Sequence, residues 1–166
     1  MKTKIIITLV IIIVCCTLLF SSHDDKDLIQ QQLDSLSQSF DTPSNNKNLL
    51  QQFADTKKYS VFFSDKLNIY IKTKNPFLKQ LNISDKKTLR KTIMMARSGS
   101  PDFTIDFIDT NIKLTSNNQA TLHCTAVAKG FKSNNIIQEI MITYKKIEGT
   151  WLITQIKDIE TMKVNE

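Results

Sequence analysis

Glycine, proline and cysteine are scarce in this 166-residue chain, which has three residues of each. So few glycines and prolines exclude a low-complexity, disordered chain and favour regular helices and strands. Two of the cysteines, Cys15 and Cys16, lie in an apolar N-terminal run, which leaves only Cys124 in the rest of the chain. A lone cysteine cannot form a disulfide within that part, and we predict that Cys124 is a small buried residue of a strand.

Histidine and glycine are also placed in a way that excludes common functional sites. His23 and His123 lie about 100 residues apart, which matches no zinc-site spacing, so we expect no metal site. The glycines at 99, 130 and 149 are isolated and form no phosphate-binding loop, so we expect no cofactor. The net charge of +6 comes mostly from scattered lysines rather than clustered arginines, which argues against a nucleic-acid partner.

An apolar run near the N-terminus predicts a membrane segment. Ile5 to Phe20 contains no charged residue, Lys2 and Lys4 precede it, and an acidic stretch begins at Asp24. A run of this length is at the short edge of a membrane-spanning helix. The order of charges predicts that the lysines stay on the cytoplasmic side and that the rest of the chain is exported.

Three fates of this segment are consistent with the sequence. A single-pass anchor in the cytoplasmic membrane is favoured, because cleavage after Ser21 or Ser22 would place the large Leu19 or Phe20 three residues before the cut. The alternatives are a lipoprotein, since Ile13-Val14-Cys15-Cys16 loosely fits a lipidation site, and a secreted protein. In each case we predict that residues 1–22 are the anchor or signal and that 23–166 form one domain.

Helical periodicity predicts about three helices before the main sheet. Asp24 to Phe40 has apolar residues at steps of four, three and four. A second helix is predicted from near Lys47, and a third from Asp85 to Ser98, with Ser84 as its N-cap and its basic residues outside. Before the third helix, Leu67 to Ile71 alternates as a short strand. The stripe of the first helix comprises Ile29, Leu33, Leu36 and Phe40.

Four long alternating runs predict antiparallel strands joined by short turns. On the second run, Leu122 and Cys124 share one face and His123 lies on the other, as in a sheet with one buried face. The alternation slips near Ile108 and Ile153, which predicts bulges that curl the sheet. We therefore predict an α+β fold in which a curved antiparallel sheet wraps around the helices as a cone. The strands are predicted at Phe103–Thr115, Ala120–Phe131, Ile136–Ile147 and Trp151–Glu160.

This order of elements resembles the NTF2-like superfamily, the cystatin-like α+β cone, and is most similar to small exported bacterial members with an N-terminal segment. The resemblance covers about residues 24–162. It implies the fold and not a reaction, because the matching segments are structural. They are Ser84–Leu89 leading into Pro101-Asp102-Phe103, the strand start Asn118–Leu122, and the closing hairpin Tyr144–Ile153 with its Gly149-Thr150-Trp151 turn.

The resemblance implies a pocket inside the cone. The superfamily includes ketosteroid isomerases, which use a tyrosine and aspartates on the inner wall, and dehydratases, which use an inward histidine and aspartate. Tyr59, Tyr70, Asp106 and Asp109 are the candidate ligand-pocket residues of this chain. None of them matches a family motif, and His123 is predicted to lie outside the cone, so no catalytic residue is assigned.

A membrane segment followed by a cone fold without a recognisable acid–base set favours a non-enzymatic binding or assembly module of the cell envelope. The usage of lysine, asparagine and isoleucine is typical of a bacterial chain. Expected partners are the membrane, a second copy bound through the sheet, and a small apolar ligand or an envelope protein. The alternatives are a small isomerase or dehydratase with an interior Tyr/Asp pair, and a scaffold subunit of a secretion assembly.

Overall fold

A computed structural model provides the structure of the chain. Among the described residues, no helix is both long and apolar enough to cross a membrane. The predicted membrane segment, the predicted start of the second helix near Lys47 and the predicted strand end at Phe131 lie outside the described part of the chain. The described residues are 25–41, 56–72, 80–100, 102–130 and 135–159.

Three helical segments are described: α1 over 25–40, α2 over 56–60 and α3 over Lys86–Gly99. The predicted apolar stripe of α1 is buried along its whole length. The N-cap of α3 is Asp85, and the prediction of Ser84 was wrong by one residue. The Asp85 carboxylate accepts a hydrogen bond from the Thr88 N–H at 2.8 Å, which satisfies one of the free donors at the helix start.

In the described part of the chain, the sheet has six strands in the order β2-β1-β6-β5-β4-β3. β1 and β6 pair in parallel, and every other neighbouring pair is antiparallel. The sequence did not indicate β2, whose two apolar residues are too few to show an alternation. The strands are β1 Phe63–Lys72, β2 Gln80–Asp85, β3 Thr104–Ser116, β4 Gln119–Lys129, β5 Ile136–Ile147 and β6 Thr150–Asp158.

The predicted slips in alternation are β-bulges. The register of β3 on β4 shifts between Ile108 and Asn111, and Asp109 within this bulge takes a φ of 55°. A second shift lies where β5 pairs with β6: Thr143 is opposite Gln155 and Tyr144 is opposite Ile153, so Thr154 of β6 is the extra residue. Bulges increase the local twist and bend a sheet, so they curve it into the predicted cone.

The core lies between α1 and the concave side of the sheet, which we call the inner face. Cross-strand pairs such as Leu122 with Ile142 put fully buried side chains on this face. The opposite side, the outer face, carries His123 next to Met141. His123 is exposed, so its predicted position outside the cone is confirmed.

Candidate functional site

The two candidate tyrosines lie on different sides of the sheet. Tyr59 is buried in the core, where its ring stacks on Phe40 with the centroids 4.7 Å apart. Tyr70 follows the buried Ile69 on β1, and a strand alternates sides, so Tyr70 lies on the outer face and is half-buried. The structure therefore does not bring the two phenols into one site.

The two candidate aspartates lie away from the interior. Asp106 pairs with Val127 on the outer face, and its carboxylate forms an ion pair with Lys129 at 2.7 Å. Asp109 is exposed in the bulge of β3. The extra residue of this bulge, which the slip in alternation near Ile108 predicted, changes which positions of β3 face inward.

The inner face instead carries two titratable side chains that the sequence analysis did not single out as site residues. Burial raises the pKa of the Cys124 thiol to about 12. Burial, and then the nearby Cys124, raise the pKa of the Tyr144 phenol above its usual value. Both groups therefore keep their protons at neutral pH. The Tyr144 hydroxyl is buried and has no hydrogen-bond partner among the described residues.

A polar cluster of three residues joins the start of α1 to the β5–β6 hairpin, and we call it the α1 clasp. Oδ1 of Asp25 accepts hydrogen bonds from Lys146 Nζ at 2.7 Å and from Trp151 Nε1 at 2.9 Å. The ammonium of Lys146 also lies 5.5 Å from the Trp151 ring centroid. Burial alone would raise the pKa of the Asp25 carboxyl, but the two hydrogen bonds and the positive charge of Lys146 hold it below its usual range.

A buried cation joins α3 to the end of α1. Arg97 was expected on the solvent side of α3, and that prediction was wrong, because its side chain is buried. Its guanidinium donates to the Phe40 carbonyl at 2.7 Å and lies over the rings of Phe40 and Tyr59. The last carbonyls of a helix lack partners within that helix, so a buried arginine satisfies one of them here.

The outer face carries an apolar strip across β3, β4 and β5. Ile137 is 66% exposed and pairs directly with Val127, and Ile108 on the neighbouring strand is 47% exposed. Met141 lies on the same face, four residues after Ile137, and is half-buried. Clustered apolar side chains on a sheet surface are typical of interaction sites. We call Ile108, Val127, Ile137 and Met141 the outer strip.

An open groove of about 370 Å³ lies beside the α1 clasp. Leu28, Gln32 and Ser35 of α1 form one wall, and Gly149 and Thr150 of the β5–β6 turn form the other. Within the described part of the chain, no group of three or more metal-binding side chains is placed to hold an ion.

Comparison with known proteins addresses the fold. No protein-family model matches the chain. No curated protein sequence matches it. Solved structures do match, and they show that the domain has the NTF2-like, or cystatin-like, α+β cone fold, as the sequence resemblance implied.

Three of the similar structures illustrate the range of names within this fold. A protein provisionally named scytalone dehydratase from Novosphingobium aromaticivorans has a TM-score of 0.66 and 11% identity, over 87% of this chain and 89% of that one. A protein provisionally named aromatic ring hydroxylase from the same organism has a TM-score of 0.61 and 10% identity, over 83% and 90%. An NTF2-like protein of unknown function from Shewanella oneidensis has a TM-score of 0.57 and 13% identity, over 80% and 97%. Identities this low establish the shared fold alone.

Proposed function

We propose that this chain is a non-enzymatic binding or assembly module of the bacterial cell envelope, which self-associates through the outer face of its sheet. The observation that carries the proposal is the outer strip, where Ile137 is 66% exposed beside Val127. A sheet face that stays in water rarely groups apolar side chains in this way.

The geometry of the outer strip suits a two-fold contact between copies. An isologous interface uses the same patch twice, so it needs a surface that is complementary to itself. The apolar strip supplies the centre of such a patch. The Asp106–Lys129 ion pair flanks it, and the exposed Glu139 lies on the same face between Ile137 and Met141.

The described titratable groups with shifted pKa values favour a binding role over acid–base chemistry. A general acid or base needs a pKa near the working pH. Burial moves the pKa of Cys124 to about 12 and raises that of Tyr144, whereas the Asp25 carboxyl has a lowered pKa and is held in the α1 clasp. Each of these groups therefore keeps one protonation state around neutral pH.

The proposed location is the outer side of the cytoplasmic membrane, with the N-terminal run as a single-pass anchor. The support is the order of charges, with Lys2 and Lys4 before Ile5–Phe20 and aspartates after it. Alkaline phosphatase fused after Glu166 is expected to be active in a bacterial host, because this enzyme needs export. An inactive phosphatase together with an active cytoplasmic reporter at the same position would refute this topology.

The self-association is tested by analytical ultracentrifugation of the full chain in a mild detergent. The wild type is expected to be a dimer at about 100 µM, and Met141→Lys is expected to give monomers, because an unpaired charge is costly to bury. Met95→Lys is the matched control, since Met95 is 60% exposed on α3, away from the sheet face, and should leave the dimer intact. A monomeric wild type, or equal effects of the two variants, would refute the proposal.

A second candidate function is the binding or conversion of a small apolar molecule inside the cone. The observation that favours it is the buried Tyr144 hydroxyl, which has no described partner and is free to donate to a ligand oxygen. The structural neighbours named as a dehydratase and a hydroxylase agree with it in fold alone. Saturable binding of phenol, followed by NMR and lost in Tyr144→Phe, would favour this candidate. Failure of phenol to bind would count against it.

A further inference from the structure

β3 is the last strand of the sheet, and its far edge is covered over only part of its length. The strand pairs with β4 on one side and, among the described residues, has no strand on the other. Unpaired strand edges offer rows of N–H and C=O groups to other chains, and proteins usually cover them. Whether each half of this edge is covered or uncovered therefore decides whether another chain can pair with it.

α1 covers the first half of the edge. The Ser37 hydroxyl donates to the Ile105 carbonyl at 2.7 Å, and the Thr110 hydroxyl donates to the side-chain oxygen of Gln30 at 3.2 Å. Both helix residues lie on one side of α1, two turns apart, so the helix runs alongside this part of β3. The first half of the edge is therefore closed to other strands.

The bulge at Asp109 separates this covered half from an open half, residues 111–116. Successive residues of a strand direct their backbone groups to opposite edges, and the Ser37 bond places the Ile105 carbonyl on the far edge. The bulge inserts one extra residue between Ile108 and Asn111. Ile112 and Leu114 are therefore the residues whose backbone N–H and C=O groups point to the far edge.

The backbone of residues 111–116 has no hydrogen-bond partner on its far side within the described chain. Ile112 and Leu114 pair with buried residues of β4, so their side chains lie on the inner side, and both are half-buried. Lys113 points to the outer side, is exposed, and makes no ion pair in the described structure. The open half thus combines free backbone groups, an apolar inner side and an unpaired positive charge.

We propose that residues 111–116 bind an extended segment of another protein, which adds a strand to the sheet. Strand addition takes its affinity from backbone hydrogen bonds and its specificity from alternate side chains. The segment is expected to place apolar residues beside Ile112 and Leu114 and acidic residues beside Lys113. Opposite charges across a strand pair are favourable, and like charges are not.

The same rule disfavours a second copy of the chain at this edge. A two-fold pairing of two open halves would bring the two Lys113 side chains opposite or diagonal to each other on one face. The proposed partner is therefore a different, acidic and apolar strand. This proposal is independent of the outer strip, because the strand edge and the sheet face are separate surfaces.

The test uses the full-length chain in a mild detergent and the labelled heptapeptide TVEVEVT, with TVKVKVT as the control peptide. Fluorescence anisotropy is expected to show saturable binding of the acidic peptide and at least tenfold weaker binding of the basic one. Lys113→Glu is expected to weaken the binding of the acidic peptide about tenfold. Lys145→Glu, which reverses an exposed lysine on β5, is the matched control and should leave binding unchanged.

NMR hydrogen exchange locates the contact. The amides of Ile112 and Leu114 are expected to become protected when the acidic peptide is added. Ile112→Pro removes one of these donors and is expected to abolish peptide binding. Circular dichroism checks that this variant is folded. If it unfolds, the effect of Lys113→Glu on binding of the acidic peptide still tests the proposal. Equal affinity for both peptides, or protection elsewhere, would overturn the proposal. The proposal would also be overturned if the same amides became protected when the chain concentration is raised without peptide, because a second copy of the chain would then be the partner at this edge.

Discussion

The indole N–H of Trp151 donates a hydrogen bond of 2.9 Å to the carboxylate of Asp25, from a position 126 residues later in the chain. The same carboxylate oxygen accepts from Lys146 at 2.7 Å. Trp151 is 1% exposed, so the bond lies at the boundary between the core and the first turn of α1. This clasp joins the start of the helical layer to the closing hairpin of the sheet.

Replacing Trp151 by alanine is expected to lower the free energy of unfolding by about 3–5 kcal/mol, the usual cost of truncating a buried large aromatic side chain. Urea unfolding of the full chain measures it. Trp151→Phe keeps most of the apolar burial and loses the hydrogen bond to Asp25, so its cost should be smaller. Val61→Ala, at a side chain that is 64% exposed, is the surface control. A loss below about 1 kcal/mol in Trp151→Ala would contradict the burial of this residue.

Stability is expected to fall in acid because of the Asp25 carboxyl. Its folded-state pKa is lowered, so its contribution is fully present above the unfolded value of about 3.9 and is lost as the pH falls through the folded value. Urea unfolding between pH 2 and pH 7 measures this dependence. In Asp25→Asn, the free energy of unfolding should fall less below about pH 4 than it does in the wild type. An identical pH dependence in the two proteins would show that the clasp does not depend on the charge.

Cys124 is expected to resist thiol reagents in the folded protein. Burial raises its pKa to about 12, so at pH 8 its thiolate fraction is more than about a thousandfold below that of a free cysteine, whose pKa is about 8.5. The measurement is the rate of labelling by a disulfide reagent in a variant with Cys15→Ser and Cys16→Ser. Labelling should be slow in buffer and fast in urea. Fast labelling in buffer would show that the thiol is accessible.

Gly130 is expected to tolerate alanine less well than Gly149, although both have positive φ angles, 89° and 81°. A Cβ at 130 would lie 2.7 Å from the carbonyl oxygen of Asp102, whereas a Cβ at 149 would meet no atom within 4 Å. Gly149→Ala should cost about 1–2 kcal/mol through its backbone conformation alone. Gly130→Ala should cost at least about 1 kcal/mol more, because the clash adds to the same strain. Equal costs in urea unfolding would contradict the close approach.

Local patterns predicted much of the fold. The stripe from Ile29 to Phe40 gave α1, because side chains three and four residues apart share one side of a helix. Alternation in β4 placed Leu122 inside and His123 outside, because strand side chains alternate between faces. The parallel pairing of β1 with β6 was not predictable in this way, since it joins segments more than 80 residues apart with no local signal of register.

The candidate site was predicted less well than the fold, because sites depend on contacts between distant segments. Tyr59 and Asp106 were paired as a hypothesis from residue type, yet one is in the core and the other is on the outer face with Lys129. Arg97 was expected outside because arginine is usually exposed. It is buried because the Phe40 carbonyl and two aromatic rings surround its guanidinium.

The sequence by itself determined the elements that follow from a repeating pattern: the apolar stripe of α1, the long strands, the turns between them and the slip near Ile108. Only the tertiary structure decided which polar groups meet, as Asp25 meets Lys146 and Trp151. It also decided which half of β3 has no backbone partner at its far edge among the described residues. The physical reason is that periodicity is a property of neighbouring residues. The partner of a carboxylate or of a strand edge depends on how distant segments pack around a shared core.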